Sequence, residues 1–212
     1  MNETKKSWDD VTISMWVELN NIDTESPITK EIEEVAILTD TDSAELRTIP
    51  MSEFRKIQES VKFKHTPPKA EVTLKFDIDG KRYGMIPQLD FISTGEWMDA
   101  ETWKDDPINN IHLYAALLYR PIIKEEGEVY EIEPHKSSGF IERANLFKDR
   151  LSITVIHGTV LFFSTIATEY IKILADYLES LETQSSMKMS PTQTPTKTHK
   201  RKPFKKTGGS TT

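Results

Sequence analysis

The stretch VTLKFDIDGKRYGMI, residues 72–86, decides the fold class. Val72, Leu74, Phe76 and Ile78 alternate with Thr73, Lys75 and Asp77, a period of two that puts the apolar set on one face of an extended chain. Asp79-Gly80 follows, and Lys81-Arg82-Tyr83-Gly84-Met85-Ile86 resumes the extended pattern. A tight primed turn needs positive φ, which Gly and Asp tolerate best, so the stretch predicts a β-hairpin over about 71–86.

Upstream the period is nearer 3.6. Residues 10–19 (DVTISMWVEL) space Ile13, Trp16 and Val17 by three and four, with Asp10 or Thr12 as N-cap. After a connector over 20–27, residues 29–38 carry Ile32, Val35, Ala36 and Leu38 on one face. Asp42 or Ser43 caps the turn SAELRTI, and Pro50 with Ser52 opens a helix bearing Phe54, Ile57 and Val61. The prolines of HTPPK (65–69) end this cluster of short helices.

Downstream, Ser93 or Thr94 caps GEWMDAETWK, and Asn109 or Asn110 precedes an apolar helix over 111–119 that Pro121 closes. Residues 125–134 form a charged excursion with room for a short strand at 129–132. Phe140, Ile141, Ala144 and Phe147 give a helix to Lys148. Ser152 begins the longest helix, to about Leu181, whose stripe is wide enough to pack on two sides. The expected fold is mainly α within the α+β class: short helices and one hairpin packed around a long C-terminal helix (about 152–181). The expected organisation is a flexible N-terminus (1–10), a single domain (11–184) and a disordered basic tail (185–212).

Charge separates the last two. Of 27 Lys and Arg, seven lie from Ser185 onward, where there is no acid; the first 184 residues hold 20 basic against 34 acidic residues, a net −14. Such a body repels nucleic acid and anionic membrane, leaving the tail as the only segment suited to phosphate. The tail's Ser, Thr, Pro, Gly and Lys cannot bury enough apolar surface to offset an ordering cost of about 1–2 kcal/mol per residue. There is no cysteine, which excludes disulfides, thiolate nucleophiles and Cys-ligated zinc and fits a cytoplasmic setting. The N-terminus lacks a signal peptide's apolar core. The greasiest stretch, 151–178, is broken by Ser152, His157, Gly158, Glu169, Lys172 and Asp176, short of the ~20 apolar residues a membrane span needs.

No chemistry-bearing motif emerges. His65, His112, His135, His157 and His199 form no metal-binding pair at helical or strand spacing, and His112 and His157 read as packed residues. Eight glycines make no phosphate loop or nucleophile elbow. Acid pairs such as Asp9-Asp10, Glu33-Glu34, Asp105-Asp106 and Glu125-Glu126 read as solvated surface in so acidic a chain. The reading is therefore a non-enzymatic protein with no cofactor and no metal. Candidate contacts are Trp103, the tryptophan more exposed by its charged neighbours, with Trp16 and Trp97 read as core anchors; and the tail residues Lys200, Arg201, Lys202, Phe204, Lys205 and Lys206 beside His199. That cluster fits a nucleic-acid or nuclear-localisation arm, a solubilising tail, or an arm docking on an acidic protein surface with Phe204 as anchor.

Four stretches carry a family likeness: VTISMWVEL; EEVAILTDTDSAELRTIPMSEFRKI, an apolar helix, an acidic turn and an apolar-Pro-apolar-Ser helix start; FDIDGKRYGMIPQLDFISTGEWMD, a hairpin then a Thr-Gly-x-Trp-x-Asp helix start; and LSITVIHGTVLFFSTIATEYIKILADYLESL. Within 11–182 their order resembles the tail assembly chaperones, or related tail-morphogenesis proteins, of tailed bacteriophages. The insertion near Glu125 and the tail after Gln184 lie outside it. The resemblance implies a protein of the infected host cytoplasm that binds the tape-measure protein, shields its helices and assists tail-tube assembly. It is compatible with homo-oligomers. The alternatives are a connector or baseplate component retained in the virion, and a nucleic-acid-associated phage protein acting through its basic tail.

Overall fold

The computed structural model describes residues 5–87, 92–135 and 138–162. The tail, its candidate contacts Lys200, Arg201, Lys202, Phe204, Lys205 and Lys206, and the last helix beyond residue 162 lie outside these. What is described is a helical protein with a small antiparallel sheet, a mixed α+β fold.

The N-terminal helices form where the sequence offers caps. Helix α1 (Ile13–Asn20) starts at Thr12, whose hydroxyl accepts from the Met15 N–H at 3.3 Å. Helix α2 (Pro27–Thr39) begins two residues before the expected Thr29, because Pro27 fits the first helical position, where its missing N–H costs nothing, and Ser26 supplies the cap. A short α3 (Ser43–Leu46) is capped by Asp42, and α4 (Met51–Ser60) buries Phe54. Buried Val35, Ala36, Leu38, Leu46, Phe54 and Val61 form their shared interior. Lys64, almost buried, pairs with Glu34 and with Glu31 at 2.8 Å.

Within the N-terminus expected to be flexible (1–10), residues 7–10 take up local structure. Ser7 and Asp10 make a reciprocal capping box around a 3₁₀ turn, Trp8–Asp10. The Trp8 ring stands edge-on to Trp16 and Phe63 at 5.4 and 5.3 Å, and its indole N–H donates to the Thr66 carbonyl. A large amphipathic ring with a partner for its N–H outweighs the polar residues around it.

The hairpin forms as expected: β1 (Lys75–Ile78) and β2 (Lys81–Met85) pair antiparallel with Ile78 opposite Lys81. Asp79 at φ 50° and Gly80 at φ 76° supply the two positive φ angles of the turn. Two further strands extend it. β3 (Tyr119–Glu126) pairs with β2, and β4 (Val129–Ile132) pairs with β3, in the order β1-β2-β3-β4. Between β2 and β3 the chain makes α5 (Thr94–Thr102) and α6 (Ile111–Leu118). Helix α6 therefore ends one residue before the expected Tyr119, and the chain enters β3 with no loop. Pro121 sits inside that strand, opposite Tyr83, and its carbonyl accepts from the Glu133 N–H at 2.9 Å.

Helix α7 (Phe140–Arg150) buries Ala144 and sets Phe147 against Phe76 and Tyr83 of the sheet; its Ile141, expected on the same face, is exposed. Helix α8 runs from 153 and is described to 162. Its start is stitched to the N-terminus: Ile13 donates to Leu151, Ile153 donates to Val11, and Thr12 bridges Ser152. Phe76, Tyr83, Tyr119 and Phe147 meet at ring separations of 5.0–5.6 Å to form the sheet side of the core. The Tyr119 hydroxyl donates to Thr73 O at 2.7 Å and lies 2.6 Å from the Thr159 hydroxyl, so this buried polar group is satisfied. Gly158 lets α8 press on the chain at 70–71, where a Cβ would stand 2.2 Å from the Glu71 carbonyl oxygen.

Candidate functional site

Helix α5 is where the fold is least conventional. Ser93 caps it and Glu96 closes a capping box: the Ser93 N–H donates to Glu96 Oε2 at 2.7 Å, and the Glu96 N–H donates back to the Ser93 hydroxyl. The same Glu96 is 2% exposed, and its Oε1 accepts from Arg120 Nη2 at 2.7 Å. Arg120, on β3, also donates from Nη1 to the Glu133 carbonyl at 3.1 Å. His135 lies with Nδ1 3.8 Å from Glu96 Oε1 and Nε2 3.1 Å from Asp99 Oδ2. Arg143, buried on α7, donates from Nε and Nη2 to the Ala116 carbonyl, both at 3.2 Å, and holds the end of α6. Burial alone would push the Glu96 carboxyl up; hydrogen bonds from Ser93 and the charges of Arg120 and His135 outweigh it and hold it below the usual carboxylate range.

This network anchors α5 from below. Both Glu96 oxygens are engaged, and among the described residues no hydroxyl bonds to His135, so the nucleophile-to-base contact of a hydrolytic site is not assembled around it. Its effect is positional. It ties α5 to β3 and to Glu133 after β4, whose carboxylate lies 3.7 Å from Arg143, the residue that holds α6.

Beside this network, with Glu96 itself in the wall, lies an apolar cleft of about 380 Å³. Helix α5 contributes Trp97 and Ala100, α6 contributes Tyr114, Leu117 and Leu118, α8 contributes Val160, and Ile92 enters ahead of α5. Glu101, Lys104 and Pro107 are its polar and proline rim. The Tyr114 hydroxyl donates to the Ala100 carbonyl at 3.0 Å, and burial with the nearby Glu101 charge pushes its pKa up. Trp97 is 51% exposed, and its neighbour Met98 63%.

The two tryptophans of this helix thus exchange their expected settings. Trp103, read as the exposed contact, is half-buried at the C-terminal cap of α5, edge-on to Tyr114 at 5.4 Å and stacked on Phe140 at 6.0 Å. Trp97, read as a core anchor, is the exposed one. The reason is tertiary: α7 brings Phe140 to Trp103, whereas the buried face of α5 is claimed by Glu96. The cleft went unread in the sequence because its walls come from residues far apart in the chain. The Ser93-x-x-Glu96 spacing before a Trp was the one local signal.

The remaining candidates scatter. His112 is half-buried and its pKa is lowered by burial, and His157 stands edge-on to Trp16 at 5.8 Å, both as packed residues. Glu125 takes Lys75 at 2.9 Å and Arg82 at 3.3 Å across the sheet. Among the described residues, no group of three or more His, Asp or Glu is placed to hold a metal ion, and no helix is long and apolar enough to cross a membrane. No family model, curated protein or solved structure matches the chain.

Proposed function

We propose that this chain is a non-catalytic partner-binding protein, a tail assembly chaperone-like factor that holds apolar segments of a tape-measure or tail-tube protein at the α5–α6 cleft. One observation carries the reading: an open apolar cleft lipped by a half-exposed tryptophan, on a helix fixed in place by a buried ion network. Large aromatic side chains are costly to leave in water and dominate binding energy when a partner covers them. The anchor adds preorganisation, so little conformational freedom is lost when the cleft fills. The four-segment resemblance supplies the class of partner, and the acidic body keeps such a factor apart from nucleic acid during assembly.

Affinity purification of the full-length protein from phage-infected cells tests this. Recovery of a tape-measure or tail-tube protein, reduced by Trp97→Ser, and absence of the chain from purified virions are the expected results. Recovery of capsid proteins alone, or retention in the particle, overturns it.

A further inference from the structure

We infer that the α5–α6 cleft receives an amphipathic helix from another polypeptide, with its apolar stripe flanked by Lys and Arg; the inference rests on the partner-binding reading above. Two features select the occupant. The first is the backbone: the cleft is walled by helices whose main-chain groups are already bonded, and the Ala100 carbonyl is taken by Tyr114 and by the Trp103 N–H. An added strand would find no main-chain partners here, whereas a helix brings its own hydrogen bonds and needs only side-chain contact.

The second is charge. The rim carries Glu101 paired with Lys104, and next to it along the chain the turn after the helix exposes Asp105 and Asp106 with no further Lys or Arg, while Asp99 is met by His135 at 3.1 Å. A partner with basic flanks meets this rim favourably. A second copy of the acidic body would bring like charges together, so self-association through this face is disfavoured.

The test uses the full-length chain and two synthetic helical peptides of about five turns, with the same Leu stripe but Lys flanks in one and Glu flanks in the other. Binding is followed by calorimetry. The Lys peptide should bind at least about tenfold tighter than the Glu peptide, and the gap should shrink at high salt. Trp97→Ser, which removes the lip, and Ala100→Trp, which fills the cleft, should each weaken the Lys peptide by about tenfold or more, with thermal unfolding of Trp97→Ser unchanged. Equal affinity for the two peptides, no binding of either, or wild-type affinity in both variants overturns the inference, as does a chain that dimerises on its own and loses the dimer on Trp97→Ser. The two readings fail separately: capture of a tape-measure protein without peptide discrimination sinks only the helix, and peptide discrimination with capture of capsid proteins alone sinks only the phage role.

Discussion

The two sides of β3 exclude water by opposite means. On the hairpin side, Phe76, Tyr83, Tyr119 and Phe147 fill a dry interior, and the buried Tyr119 hydroxyl has its partners in Thr73 and Thr159. On the α5 side, the next residue along the strand, Arg120, is buried against Glu96, and the apolar surface faces outward as a cleft under Trp97. Alternation along a strand sends neighbours to opposite faces, so one dipeptide serves both environments. The contrast shows a division of labour. One face of the sheet stores stability, and the other spends polar contacts on holding a helix still.

The largest effect should come from breaking the anchor. Arg120→Met leaves Glu96 charged, buried and without its cation, and should destabilise the protein by about 3–5 kcal/mol in chemical denaturation. Pairing it with Glu96→Leu should recover most of that loss, since an apolar pair of similar size removes the stranded charge. If the double variant stayed as unstable as the single one, the anchor would be irreplaceable packing and not a charge pair. Acid should probe the same group. Glu96 titrates lower in the folded chain than its ordinary 4.5, so its contribution is complete above that pH and is lost as pH falls through the depressed folded-state value. Arg120→Met should flatten that acid limb.

On the dry side the expected losses are smaller. Gly158→Ala drives a methyl group into backbone atoms at 70–71 that cannot rotate away, and should cost about 1–3 kcal/mol despite the better helix propensity of alanine. An unchanged melting temperature would mean that α8 can lift off that segment. Tyr119→Phe removes the hydroxyl that serves Thr73 and Thr159, and should cost about 1–3 kcal/mol. The same hydroxyl is also pushed up to about 12 by burial, so absorbance titration of the folded protein should show a tyrosine ionising above the ordinary range that is missing in Tyr119→Phe.

The same division explains what the sequence could reveal. The dry side is written in local patterns: the period-two run ending in Asp79-Gly80, and the caps Thr12 and Asp42. The α5 side depends on who approaches from elsewhere. The run IHLYAALLYRPII is apolar but for His112 and Arg120, so neither period marks the change from α6 to β3 at Tyr119, and Pro121 reads as a stop although it lies within the strand, opposite Tyr83. Glu96 and Arg120 look like surface charges until β3 lies under α5. Trp97 and Trp103 cannot be ranked before α7 delivers Phe140.

The smallest stability effect tests the comparison most sharply. Trp97→Ser should change unfolding free energy by no more than about 0.5 kcal/mol, because a half-exposed ring on the outer face of α5 contributes little to a core it does not enter. A core tryptophan replaced by a small residue would instead cost about 3–5 kcal/mol. The same substitution should abolish most partner capture, so stability and binding separate at one residue. A large stability loss on Trp97→Ser would mean that the ring closes the cleft as structure, and the outer face of α5 would then belong with the dry side.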